Sequence, residues 1–299
     1  MQSFLRSPVL TDANKGYLLG IIAVIGFGLT LPVTRFLIAY LDPIFIGLGR
    51  ACLAALVAAI ILLIKHQTLP TPSEFAKLTV VSLGVVIAFP ILTAWAMQSV
   101  PASHGGVILG VLPLASVLAS RVVSKERPSI AFYLLSLLGM CLVVIFSIRQ
   151  SDGLGHFAIG DIAMFLAVVF AGFAYALGGQ LAKTMGGWRV ICWALLIAFP
   201  FVLVPALLSA PSKISMLPST AWFAFCYLSL VSQLFAFIAW YQAMAFGGIA
   251  RISQIQLLQP FVTLLAATLL LGETLNAEIL IFTTLVLLCV GLGKRTTIN

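Results

Sequence analysis

Charge is what this sequence has least of. Of its 299 residues only 8% are charged and eight are acids, while hydrophobic types reach 62%. A soluble domain carries about a quarter charged residues. So few charges cannot cover a water-facing surface, whereas a lipid-facing surface needs none. There is no G-x-x-x-x-G-K-[ST] phosphate loop, so no nucleotide-driven step is expected, and any driving force must come from a gradient or from the solute itself. There is no H-E-x-x-H, and His66, His104 and His156 are scattered, which argues against an intramembrane enzyme, a metal site or a cofactor. The five cysteines form no C-x-x-C pair and lie inside apolar runs, where they read as small packing groups. The net charge of +8 forms no basic stripe that would track nucleic acid. The Lys and Arg residues fall mainly between apolar runs, as topology signals and headgroup contacts do.

Apolar runs of membrane-spanning length follow one another almost end to end. Spans are predicted near 17–40, 44–64, 75–98, 101–123, 129–148, 158–183, 189–209, 219–245, 249–271 and 276–293. The fold class is therefore all-α, a polytopic membrane protein with ten transmembrane helices. Asp42-Pro43, Pro70-Thr71-Pro72-Ser73, Arg127-Pro128, Gly186-Gly187 and Leu217-Pro218 punctuate the short connections. The first run follows Arg6 and Lys15 but is too long for a signal peptide and lacks an A-x-A site, so it reads as a retained span. With a cytoplasmic amino terminus, twelve Lys and Arg residues fall on the cytoplasmic side and three, Arg35, Arg149 and Lys213, on the other. Ten spans then place both termini in the cytoplasm, with a bacterial inner membrane as the expected location.

The halves repeat. A shift of 147 lays Pro113 on Pro260 and Glu126 on Glu273; a shift of 145 lays Ala94-Trp95 on Ala239-Trp240; a shift of 144 lays Gly16 and Gly28 on Gly160 and Gly172. The division expected is 1–15 as a cytoplasmic segment, 16–149 as one five-helix repeat, 150–157 as a connecting loop and 158–295 as the second repeat. An odd number of spans per repeat inverts the second copy, an architecture suited to alternating access.

Pro260 through Leu271-Gly272-Glu273, its weaker counterpart Pro113 through Glu126, Gly16, Gly26-x-Gly28, Asp42-Pro43 and Arg50 resemble the EamA family of the drug/metabolite transporter superfamily. The resemblance covers about residues 16–295. It implies two inverted five-helix halves around a central cavity lined by spans one, three, four, six, eight and nine. It also implies export of amino acids or other metabolites, with drug or amine efflux as the alternative. Under the 144 shift the partner of Arg50 is Ala194, so no symmetric role is implied for it.

Polar groups inside a span need a reason. Ser253, Gln256 and Gln259 are spaced three apart on span nine and either face a polar solute or hold helices together. Trp95, Tyr175, Trp240 and Tyr241, with Gln98 and Gln242 nearby, either flank the solute or belong to an interfacial belt. His104 and Arg251, related by the 147 shift, are expected at the cavity mouths or against headgroups. Arg50 is grouped with them, with three readings open: snorkelling to the surface, binding freed backbone carbonyls, or binding a substrate carboxylate. Asp161, at the start of span six, is the candidate coupling acid, or else a carboxylate favourably placed at a helix dipole. Pro32, Pro113 and Pro260 are the preferred hinges. The partners expected are a small-molecule substrate and the lipid bilayer, with homodimerisation left open.

Overall fold

The computed structural model describes residues 11–99, 105, 108–123, 129–150, 159–211, 217–271 and 277–293, and every element in them is helical. Seven helices are long and apolar enough to cross a membrane: α1 (Asp12–Leu37), α2 (Phe45–Ile64), α3 (Pro72–Ala96), and, numbering in chain order, α6 (Ile159–Met185), α7 (Gly187–Leu208), α8 (Ser219–Gly247) and α9 (Ile249–Leu270). Among the described residues there are three further apolar helices, α4 (Leu112–Val123), α5 (Ile130–Gln150) and α10 (Ala277–Gly293). The chain is an integral membrane protein.

Helix ends follow local chemistry. Thr71 and Glu74 form a reciprocal capping box that starts α3 at Pro72. Gly186 (φ 85°) and Gly248 (φ 82°) join α6 to α7 and α8 to α9 through single residues in the left-handed region, where a side chain would be strained.

Helix pairing repeats when the halves are exchanged. α1 packs on α8 and α6 on α3; α1 meets α9 and α6 meets α4; α2 packs on α7 and α5 on α10. Gly16 lies against Gly247 while Gly26 lies against Ala236, so α1 and α8 run antiparallel. Both third helices contain a stretch of wide i→i+5 turns, Ser82–Ala88 in α3 and Tyr227–Phe235 in α8, and the 145 shift superposes their starts.

Prolines shape the interior. Pro32 has no N–H, so the Gly28 carbonyl loses its helical donor and α1 breaks at Leu29. The Thr263 hydroxyl of α9 donates to that carbonyl at 2.7 Å. Its approach needs Gly28 itself, since a Cβ there would meet Val262 Cβ at 2.6 Å. In α3 the Phe89 N–H reaches back to the Gly84 carbonyl, and Pro90 offers no donor to Val85. The Gln233 amide of α8 donates to the Val85 carbonyl at 3.1 Å. In α9 the Gln259 N–H closes a tight three-residue turn onto the Gln256 carbonyl that Pro260 leaves free.

The copies differ where one proline is missing. Gly172 packs on Ala115 and Ser116 as Gly28 packs on Val262 and Thr263. The residue matching Pro32 is Ala176, however, and α6 runs unbroken. The Ser116 hydroxyl, repeat partner of Thr263, is buried without a hydrogen-bond partner. Thr263→Val is expected to destabilise the protein by about 1–3 kcal/mol, because it strands a carbonyl, whereas Ser116→Ala should cost nothing or stabilise slightly. Thermal melting of the two variants in detergent checks the difference; equal losses would refute it.

Candidate functional site

A closed cavity lies where the two halves meet. Phe27, Thr30 and Leu31 of α1, Arg50 of α2, Phe89 of α3 and Leu109 before α4 line it from one half; Tyr175 of α6, Ser232 and Phe237 of α8 and Gln259 of α9 line it from the other. The free space between these residues is narrow, with room for about one water.

Each polar group reaches the cavity for a local reason. The break at Leu29 turns Thr30 inward, and its hydroxyl meets the Ser232 hydroxyl at 2.8 Å, from the wide-turn stretch of α8. Wide turns of this kind recur at functional sites. The tight turn at Gln254–Leu258 eclipses residues three apart and brings Gln256 and Gln259 to one side of α9. Gln256 lies beside Tyr175, and both ends of its amide are buried outside hydrogen-bonding geometry. Arg50 is 3% exposed, and its Nε has no hydrogen-bond partner.

Beneath these groups sits an aromatic cluster. Phe27 lies 4.9 Å from Phe237 and 6.1 Å from Trp240 between ring centroids, and Tyr175 lies 5.6 Å from Trp240. These edge-on and tilted pairs are the arrangements aromatic quadrupoles favour. The Trp240 Nε1 is buried without a partner, and the Tyr241 hydroxyl behind it donates to the Ala174 carbonyl at 3.4 Å.

Several sequence-based expectations are corrected. Arg50, grouped with the mouth residues, lines the cavity, because the start of α2 is tilted against α3, with Gly47 packed on Pro90 and Ile91. The lining therefore includes span two, which the resemblance omitted. Trp95 is 45% exposed on the outer surface, since α3 ends one residue after it, while α8 continues for seven residues beyond Trp240. Gln98 is exposed and bonds the Trp95 carbonyl. Gln242 accepts the Gly187 N–H at 3.0 Å and caps α7. The Ser253 hydroxyl bonds back to Ile249 at 2.8 Å within its own helix. Gln254 and Thr263 serve as interhelical ties, the former to Ser136 at 2.8 Å.

Arg251 is half-buried near Tyr17, at the end of the bundle where α9 begins. Asp161 is buried in the first turn of α6 and is not part of the cavity lining. Pro32 and Pro260 sit beside the cavity at a helix break and a tight turn, and Pro113 lies in the first turn of α4. His104, Glu126 and Glu273 lie outside the described residues. What sequence reasoning missed was Thr30, Ser232 and Gln233; the signal available was three polar residues in otherwise apolar runs.

Because Trp95 and Gln98 face away from the cavity, Trp95→Ala and Gln98→Ala should leave KM for a transported solute within about twofold, whereas Tyr175→Ala should raise it at least about tenfold. Initial-rate transport measurements in proteoliposomes check this split.

Comparison with known proteins agrees with this layout. The EamA-like transporter family matches twice, at residues 14–148 and 158–292. The chain is 37% identical to the uncharacterized transporter YdeK of Bacillus subtilis (strain 168) over 286 residues, covering 96% of this chain and 99% of that one. It is 25% identical over 189 residues to a probable terminal-alkyne amino-acid exporter of Streptantibioticus cattleyicolor, covering 62% of each. A solved crystal structure superposes with a TM-score of 0.77 over 94% of this chain and 98% of the other, at 18% identity, a likeness of fold.

Proposed function

The chain belongs to the EamA-like transporter family and is a transporter rather than an enzyme; on that premise we propose that it is a secondary carrier of a small organic solute, of the amino-acid or related metabolite class. It works by alternating access between two inverted five-helix halves that together make ten spans. The observation that carries this reading is the closed cavity, polar on one side and aromatic on the other, to which both halves contribute. A channel needs a continuous path, and here the aromatic cluster closes one. The relative bearing the amino-acid exporter name supports the solute class.

Antiparallel packing of α1 on α8 supports the inversion. Lys15, Lys65, Lys77, Arg121, Lys183, Arg189 and Arg251 belong to the end of the bundle where the chain starts, and Arg35 to the other. That end is the cytoplasmic one, both termini lie there, and the membrane is the bacterial inner membrane. At the opposite end Arg35 donates to the Met97 carbonyl and ties α1 to α3. Rocking one half against the other, with Pro32 and Pro260 as hinges, opens the cavity to each side in turn.

Saturable counterflow of a solute in proteoliposomes is the test; flux without counterflow would indicate a channel. Gln256→Ala should reduce transport at least about tenfold at unchanged expression, since it removes the amide that lies beside the cavity residue Tyr175. Normal transport by that variant would remove the glutamine face from the site.

A further inference from the structure

The charge of the cavity deepens that reading and rests on it. Among the described residues Arg50 is the only charged one in the lining, and none of them there is an acid. Among the described residues the one ion pair joins Lys15 to Asp12, on the surface. Asp42, the acid nearest Arg50 in the chain, is exposed and accepts the Ile44 N–H at 2.7 Å. None of the described lining residues offers the guanidinium a counter-charge, and a buried guanidinium is costly unless something compensates it.

We propose that Arg50 is the anchor for a substrate carboxylate, and that the carrier takes small organic monocarboxylates with a compact apolar body. The guanidinium presents paired N–H donors whose spacing matches the two oxygens of a carboxylate. Tyr175 and Gln259 line the same space, with Gln256 beside Tyr175, and supply further donors from the other half. Phe27, Phe237 and Trp240 offer an apolar wall for the rest of the solute. A single negative charge makes the closed complex neutral. A neutral solute leaves the guanidinium uncompensated, and an amine adds a second positive charge beside it. A zwitterionic amino acid places its carboxylate on Arg50, but its ammonium finds only uncharged acceptors, the hydroxyls of Thr30, Ser232 and Tyr175 and an amide oxygen, and ring faces. The expected order of affinity is monocarboxylate over zwitterion over neutral amide and amine, which opposes an amine-efflux role.

The test uses the purified full-length protein and two matched series of probes. One is 3-phenylpropionate, phenylalanine, 3-phenylpropanamide and 3-phenylpropylamine; the other is 4-methylpentanoate, leucine, 4-methylpentanamide and isopentylamine. Ligand-dependent thermal shifts give relative affinities. At least one carboxylate should bind about tenfold or more tighter than its own amide and amine, a comparison that needs no variant. Arg50→Gln should weaken carboxylate binding about 30-fold or more, and Arg50→Lys should retain part of it. The proposal is overturned if the amides or amines bind as well as the acids, if no acid binds, or if folded Arg50→Gln binds acids normally. Counterflow separates it from the carrier reading. Acids that bind through Arg50 but never exchange sink the carrier and leave the anchor. Exchange of an amine that survives Arg50→Gln sinks the anchor and leaves the carrier.

Discussion

Lipid offers no hydrogen bonds, so a backbone carbonyl freed inside this bundle must find a donor within the protein, and at two of the breaks that donor is on another helix. That constraint organises the interior. Pro32 frees Gly28, and Thr263 answers; Pro90 withholds a donor from Val85, and Gln233 answers. In both cases the donor comes from the opposite half of the chain. The Tyr227 hydroxyl, 2.8 Å from the Gly26 carbonyl, is a third such tie. The irregular backbone is therefore where the two halves are bonded to each other, and it is also where the cavity forms.

Duplication explains the frame, and departures from it explain the site. Helix pairing and the wide-turn stretches obey the exchange of halves. The charge does not, because the position matching Arg50 is the buried Ala194. Nor does the break in α1, because Ala176 keeps α6 continuous where Pro32 interrupts α1. A symmetric pair of arginines would double an uncompensated charge in one small cavity. A single arginine on one half, faced by neutral donors on the other, gives the solute a fixed orientation.

The architecture was legible because it rests on composition and period. Apolar runs need no neighbours to be recognised, and the shifts that align Pro113 with Pro260 and Gly28 with Gly172 survive as plain sequence matches. The site was legible only in part. Tyr175, Trp240, Gln256 and Gln259 line or border the cavity as their polarity or repeat position suggested. Trp95 matched Trp240 in the repeat but not in space, since one helix stops beside it and the other continues. Ser253 and Gln256 share a spacing, yet one hydroxyl turns back to its own helix and the other side chain points to Tyr175. Whether a side chain bonds its own backbone, another helix or a solute depends on where the backbone bends, and spacing alone does not encode the bends.

On the proposed reading of a carrier, occupancy must be coupled to movement, and the distribution of the lining residues suits that. Arg50 and Thr30 belong to one half, and Tyr175, Ser232, Gln256 and Gln259 to the other. A solute held by both sets bridges the halves, so its binding energy depends on their relative position. A ligand shifts a conformational equilibrium only by its differential affinity for the states. Separation of the halves works against Thr263–Gly28 and Gln233–Val85, each worth about 1 kcal/mol net. Contacts of a charged solute with Arg50 are of larger size, about 1.5–3 kcal/mol for each hydrogen bond. If Arg50 holds the solute as proposed, a few weak permanent ties are balanced against one strong exchangeable contact, and occupancy of the cavity rather than the resting structure would decide when the halves close.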